Sequence, residues 1–457
     1  MGKRIGEQSV VIGAGIAGLA TASVLAGYFD RVTIVERDAL PDSSEQRRSV
    51  PQGKHLHVLL AGGLHALKEL FPGFEEDLIN HEAVRMQEGL DVLRETPFGI
   101  PFPKVDAGFH RYAQSRPLLE MLIRNRVKSI ENVKFLTGRS VKRLLAGEDG
   151  KSVAGVTVEE RGGEEQSLAA ELVMDCGGSG GNLTLQFLES TGHPLPEEER
   201  IEINVGYSTL VMDIPEDAPK DWKGLMILPK APTSSRGCII MPLEGGKQWI
   251  VTITGIGDEI PPRELGQLME FVSGLSTPTA HKLLKDANFH GPVESSRFKY
   301  DRLRHFEKLT SFPRGLVPVG DVICSLNPAL GQGMSVALKE VVALSQVLAE
   351  QGGNQDPLEG LAMKYFAALP DILEGPWMSV SIADLSYPTT IGVRTKEMET
   401  NRQIIGVLST MLLKDAELLK LEAEIRNLIK PFRAIRESGV WQRAVEVLRS
   451  NKALVAK

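Results

Sequence analysis

The chain has 457 residues, more than one simple core holds, so two or three domains are expected. With 42% hydrophobic and 24% charged residues and a net charge of -7, it reads as a soluble globular protein. A nucleic-acid role has little electrostatic support. Cys176, Cys238 and Cys324 are odd in number and far apart, with neither a disulfide framework nor metal-ligand spacing. No metal is expected, and the cysteine usage fits a reducing cytoplasm.

In chain order, the first element is "VVIGAGIAGLA", Val10 to Ala20. Lys3 and Arg4 precede an uncharged run from Gln8 to Phe29, as they would before a secretory signal or a membrane helix. Against both stands the glycine placement. Gly13, Gly15 and Gly18 form G-x-G-x-x-G after the β-branched run Val10-Val11-Ile12, and Leu19, Ala20 and Leu25 continue with helical character. In such a turn the first glycine permits the bend and the second lets backbone amides approach a pyrophosphate. The third lets the helix pack on the strand. A second strand, Val32 to Val35, ends in Glu36, where the partner of a ribose hydroxyl is expected. The segment is therefore expected to be strand, turn and helix.

After Glu36, "RDALPDSSEQRRSVPQGKHLHVL" reads as a long exposed loop. Arg116 to Ile130 has helical spacing, and Val133–Leu136, Val141–Leu145 and "SVAGVTVEE" suggest strands, the last ending in a hairpin. Leu172-Val173-Met174 leads into Asp175 and a glycine cluster. From Asn204 to Thr254 the pattern alternates, as in an antiparallel sheet and a second domain. Leu316 to Val319 is a buried strand, followed by Gly320-Asp321 and a helix from about Gln332 to Glu350. The remainder is mostly helical.

Three motifs thus stand in order: the Gly13 turn, Asp175 with its glycines, and Gly320-Asp321 with "NPALGQGM". This order resembles the single-component FAD-dependent monooxygenases, the p-hydroxybenzoate hydroxylase fold. "VPQGKHLHVLLAGGLHAL" is most similar to the squalene and polyether epoxidase-like branch. The resemblance implies a three-layer α/β FAD-binding domain of the Rossmann-like, glutathione reductase type, with an inserted antiparallel sheet for substrate and a helical C-terminal region. The expected division is 1–80, 107–195 and 291–352 for FAD; 81–106 and 196–290 for substrate; and 353–457 for the helical region.

The resemblance also implies the cofactor residues. Gly13, Gly15, Ala17, Gly18, Glu36 and Arg37 would hold the ADP half of FAD, with Arg116, Val141 and Asp175 contributing. Gly320 and Asp321 would meet the ribityl chain. Pro328, Gly331, Gly333 and Met334 would form the loop whose amides face the flavin pyrimidine ring, where a helix start favours the anionic reduced flavin. The catalytic candidates near the ring are Gln52, Gly53 and His55, because the chemistry is borne by the flavin.

NADPH or NADH would be the reductant, and O2 and an apolar small molecule of polyketide or terpenoid character the substrates. One departure stands out: "DCGGSGGNL" lacks the basic residue that usually follows the central aspartate, and its serine is displaced. This bears on nicotinamide docking rather than on FAD. No second G-x-G-x-x-G follows a strand, so no separate nicotinamide domain is expected.

Several residues also have plainer readings. His55 and His57 lack a third metal ligand and read as loop histidines. Cys176 reads as a small residue in a tight turn. Trp222, Trp249 and Trp377 could line a cavity or fill a core. The segment from Ile404 to Leu448 reads as a helical cap, with a peripheral membrane-surface helix as the sharper alternative.

The expected activity is epoxidation or hydroxylation. Epoxidation is favoured because the sheet from Asn204 to Thr254 has no histidine and one tyrosine, Tyr207, among apolar residues such as Met212, Met226, Ile227, Leu228, Ile239, Ile240 and Met241. Rival readings are a flavin halogenase, an FAD-dependent dehydrogenase or reductase of a lipophilic substrate, and a flavin-carrying binding protein. The first lacks support because no W-x-W-x-I-P stretch is present.

Overall fold

The computed structural model describes residues 4–47, 50–160 and 163–455. Lys3, the loop residues Arg48 and Ser49, and the hairpin residues Arg161 and Gly162 lie outside the described residues.

The run Val10-Val11-Ile12 is apolar on both sides because its strand, Gly6–Ile12, is central in a five-stranded parallel sheet. Across that sheet the order is Leu316–Pro318, Leu172–Asp175, Gly6–Ile12, Phe29–Glu36, Val133–Thr137. Side chains alternate between its faces. Val11, Ile34, Leu172 and Met174 join the helical core with Leu19, Leu119, Ile123 and Leu338. Val10, Ile12, Val35 and Val173 meet Val153, Val156 and Val158 of a three-stranded antiparallel sheet. Helices, parallel sheet and small antiparallel sheet make the three expected layers, and the uncharged run is strand, turn, helix and the start of the next strand. Among the described residues no helix is long and apolar enough to cross a membrane.

A second sheet has seven strands, in the order Cys324–Ser325, Phe289–His305, Glu197–Asp213, Gln248–Ile256, Gly237–Pro242, Gly224–Ile227, Val92–Glu95. All its pairings are antiparallel except the last, where Val92–Glu95 lies parallel to Gly224–Ile227. Its outer face carries Met212, Ile227, Ile240 and Trp249, packed on the helices Leu265–Ser273 and Thr279–Leu284. Trp222 and Trp249 stack there at 5.7 Å, so both are core residues. The inner face carries Val211, Met226, Ile239, Met241 and Ile250 against Leu56, Met86 and Ala113. Half of the apolar residues expected to line a substrate space thus face away from it, as pleating requires.

The loop after Glu36 differs from its expectation. It is not exposed throughout: Arg47, Gly53 and His55 are buried, Pro51–Lys54 forms a 3-10 turn, and Leu59 and Leu60 enter the main core. The cause is electrostatic, since Arg47 has buried carboxylates to reach. The C-terminal helices Lys396–Met411, Ala416–Arg426 and Val440–Val455 bury Ile404, Leu408, Leu418, Leu419 and Ala444 among themselves. They pack as a cap against Phe102 and Val105.

Candidate FAD site

The turn at Gly13 is held by its N–H donating to the Val35 carbonyl at 2.8 Å, with φ at +93°. A Cβ on Gly18 would lie 1.9 Å from the Gly13 carbonyl oxygen, so only glycine lets the helix Ile16–Leu25 sit this close. Gly15 caps that helix without any side-chain cap, and a Cβ there would meet no protein atom within 4 Å. The unpaired first-turn amides and the open space before them form an anion-binding helix start. Ala17 is the first contact of a Cβ built on Gly320, at 3.4 Å, which brings the first and third motifs together.

Glu36 is buried. Its Oε2 accepts from the Ala14 N–H at 2.8 Å and pairs with Arg47 at 2.7 Å, while Oε1 accepts from the Asp38 N–H at 3.0 Å. Arg47 also pairs with Glu120 at 2.7 Å and donates to the Ala14 carbonyl at 3.0 Å. Arg47 and Glu120 were not expected from the sequence. Arg47 stands in a charged, Ser-rich stretch beside a second arginine, and nothing in that pattern marks which one turns inward. Arg37 is exposed just past the strand end.

Arg116 opens the helix Arg116–Lys128, whose cap is the Ser115 hydroxyl accepting from the Leu118 N–H at 3.2 Å. The Arg116 guanidinium lies 3.3 Å from His57 Nε2, and its buried Nε has no hydrogen-bond partner. Burial lowers its proton affinity, while Glu120 and Asp321 act to restore it. Asp321 is exposed by area, yet it opens into a recess whose walls desolvate its carboxyl and push it above the usual range. Arg116 and Arg302 oppose that rise, so Arg116 and Asp321 face one field.

Asp175 is placed differently from Asp321. Its Oδ1 accepts from the Gly177 N–H at 3.1 Å, and its Oδ2 accepts from Thr184 Oγ1 at 2.6 Å and Thr184 N at 3.2 Å. The carboxylate is fully engaged in clasping the glycine turn to the helix Leu183–Ser190. Cys176 beside it is buried, with Sγ 3.7 Å from Thr21 Oγ1, and burial pushes its thiol far up. It is a turn residue. Val141 lies half-buried on the strand Arg139–Ala146, in the small antiparallel sheet.

Pro328 begins a 3-10 turn that ends at Gly331, with φ at +67°. The helix Gly333–Gln351 follows, again without a side-chain cap, and a Cβ on Gly333 would meet nothing within 4 Å. Met334 is half-buried against the main core. Gln332 Oε1 is buried and unpartnered. Gln52 is exposed, while Gly53 is buried against Gln46.

His55 Nδ1 lies 2.9 Å from Thr209 Oγ1, which lies 2.8 Å from Thr252 Oγ1, and Tyr207 stands edge-on to the imidazole at 4.6 Å. Burial lowers His55 to about 4 and His57 to about 3, so both are neutral near pH 7.

Two uncapped helix starts faced by open glycines, orphaned polar atoms on Arg116 and Gln332, and a buried acid after the second strand form a cradle suited to a dinucleotide. The FAD binding domain family model matches residues 7–361. The chain belongs to that family. FAD is its cofactor, and it is a flavoprotein of the single-component FAD-dependent monooxygenase group, in which a reduced nicotinamide is the usual reductant.

Among relatives of this family member, protein Rv3254 of Mycobacterium tuberculosis is 30% identical over 396 residues, 83% of this chain and 81% of that protein. Squalene monooxygenase 1,2 of Brassica napus is 22% identical over 368 residues, 80% of this chain and 66% of the relative, so the match spans about two-thirds of that protein. Among solved structures, the flavin-dependent brominase Bmp2 matches at 14% identity with a TM-score of 0.66, covering 98% of this chain and all of that one. At that identity the likeness is one of fold alone.

Proposed function

We propose that this flavoprotein inserts one oxygen atom from O2 into an apolar alkene, with NAD(P)H as electron donor and an epoxide as product. The observation that carries the reading is the inner face of the seven-stranded sheet. Val211, Met226, Ile239, Met241 and Ile250 belong to one apolar cluster, and His55, Thr209, Thr252 and Tyr207 form a polar band on the same sheet. The squalene monooxygenase relatives support the same substrate class.

Bound FAD supplies the reduction and oxygen-activation chemistry that side chains lack. Gly13, Gly15, Glu36, Asp321 and the Gly331–Met334 turn would hold it. The residues of this chain bind, orient and exclude water. The methionines adapt to an elongated hydrocarbon, and the sheet face removes water from around it. Neutral His55 adds no charge to that face, and an isolated alkene has no proton for a base to take.

A second reading, hydroxylation of a phenol, draws on the His55–Thr209–Thr252 chain, which could receive a phenolic proton at His55. The deciding experiment follows NAD(P)H consumption over a panel of alkenes and phenols under labelled oxygen gas. An epoxide with one labelled atom is expected. A phenol-to-catechol conversion abolished by His55→Ala would replace epoxidation with hydroxylation.

A further inference from the structure

Two buried carboxyl groups stand outside the FAD cradle, yet both reach its last turn. Asp301, on the strand Phe289–His305, is fully buried, and Asp384, the last residue of the helix Leu361–Asp384, is 2% exposed. Each carboxyl group acts on the charge of the other, and the buried Asp301 Oδ2 has no hydrogen-bond partner among the described residues. Asn327 is held between them. Its backbone N–H donates to Asp301 Oδ1, and its carboxamide Nδ2 donates to Asp384 Oδ1 at 3.0 Å and Oδ2 at 3.2 Å. Its carboxamide oxygen accepts from the Ala329 N–H at 3.0 Å and so caps the turn Pro328–Leu330.

Neither aspartate has an ion-pair partner among the described residues. The titratable groups facing them are the Cys324 thiol on the neighbouring strand and the Tyr387 phenol just past the helix, neither of which is cationic. Arg302 and Arg304, next along the strand, donate instead to the carbonyls of Ser179, Asp321 and Val322.

Two carboxylates held on one asparagine, dry and without a cation, cannot both be ionised. The pair therefore holds one proton. Both accept from Asn327, Asp301 from its backbone N–H and Asp384 from its carboxamide, and Asp384, the group raised further by burial and by its neighbour's charge, carries the proton. Burial pushes Asp301 up to about 6, and burial together with the Asp301 charge pushes Asp384 well above its ordinary value.

We propose that Asp384 is a positioning residue for the flavin: through a proton shared with Asp301, and through Asn327, it locks the Pro328–Gly333 turn into the form that receives the flavin ring. The proposal rests on the reading that this turn meets the flavin. It gives the helical region beyond residue 360 a part in cofactor binding, although that region belongs to no nucleotide motif. Loss of the proton would set two like charges around Asn327 and loosen the turn.

The test measures FAD dissociation from the holoenzyme, by recovery of free-flavin fluorescence, from about pH 6 to about pH 9. Wild-type affinity should fall as pH rises, by up to about tenfold per pH unit for one required proton. Asp384→Asn supplies an uncharged donor of the same shape, so it should keep the low-pH affinity and lose slope. Any slope that remains belongs to Glu340, pushed up to about 8 by burial. Asp384→Leu, which removes the acceptor for Asn327, should weaken FAD about tenfold or more at every pH.

A wild-type slope in Asp384→Asn, or wild-type affinity in Asp384→Leu, overturns the proposal. Asp301→Asn, which leaves one charge and no shared proton, replaces Asp384→Asn if that variant does not fold. Gly333→Val separates the premise from the proposal. Its side chain enters open space at the helix start, so unchanged FAD affinity there would mean that the turn does not meet the flavin. Weakened affinity in Gly333→Val beside wild-type behaviour in the Asp384 variants would sink the positioning role alone.

Discussion

Gly15→Val and Gly18→Ala separate two jobs that the same turn performs. At Gly18 a new methyl would sit 1.9 Å from the Gly13 carbonyl oxygen. A carbon-to-oxygen contact needs roughly 3.3 Å, so helix and turn must part by about 1.4 Å. The parting opens a fully buried contact of Leu19 and Ala20, and such overpacking costs about 1–3 kcal/mol. At Gly15 the new side chain meets no protein atom, and the backbone, with φ at -76°, suits valine. Its effect on the apoprotein should be about 1 kcal/mol or less, the scale of a helix-cap change. In the holoprotein the valine occupies the pyrophosphate space. Losing two amide–phosphate hydrogen bonds, each about 1.5–3 kcal/mol, weakens FAD by about 100-fold or more. Urea unfolding of the apoproteins and flavin-fluorescence titration should therefore sort the variants oppositely: Gly15→Val stable but colourless, Gly18→Ala unstable. Wild-type FAD affinity in Gly15→Val, or wild-type stability in Gly18→Ala, would refute the reasoning.

Asp321→Ala should weaken FAD by about 1.5–3 kcal/mol in the same titration, leaving apoprotein unfolding unchanged. Arg47→Met removes the cation bonded to Glu36 and, among the described residues, the nearest cation to Glu120, and should cost about 3–5 kcal/mol in urea unfolding, the penalty for stranding a buried charge. Burial alone would raise Glu88, but Arg426 and Arg111 hold it at about 2. Its contribution to stability is therefore present above the ordinary glutamate range and is lost as pH falls toward 2, and Glu88→Gln should flatten the acid limb of a stability-versus-pH curve.

What the sequence made legible was the part governed by backbone needs. Gly13 and Gly18 announce themselves because no other residue fits, and period-two alternation marked Asn204 to Thr254 as antiparallel sheet. Asp321 was singled out by motif order. Asp175 was singled out the same way, but what its carboxylate touches, Thr184 nine positions on, depends on how the glycine cluster folds back. Arg47, Glu120, Asp301, Asn327 and Asp384 were illegible for one reason: each acts through a partner remote in sequence. Arg47 and Glu120 are 73 residues apart, and Asn327 and Asp384 are 57 apart. A buried charge leaves no periodic trace, and the loop around Arg47 reads as solvated by composition alone.

The parallel pairing of Val92–Glu95 with Gly224–Ile227 also sets the order in which the molecule can be made. From Val92 to Gly224 is 132 positions, roughly 7–26 s of synthesis at 5–20 residues per second. During that interval the short apolar strand Val92–Glu95 has no sheet to join. The parallel sheet waits longer still, for Leu316–Pro318, and the other edge of the seven-stranded sheet for Cys324–Ser325. Neither sheet can close before the other is nearly complete. The two should therefore fold as one late, slow event, with a nascent chain that exposes unpaired strand edges and needs protection from aggregation until residue 325 has emerged.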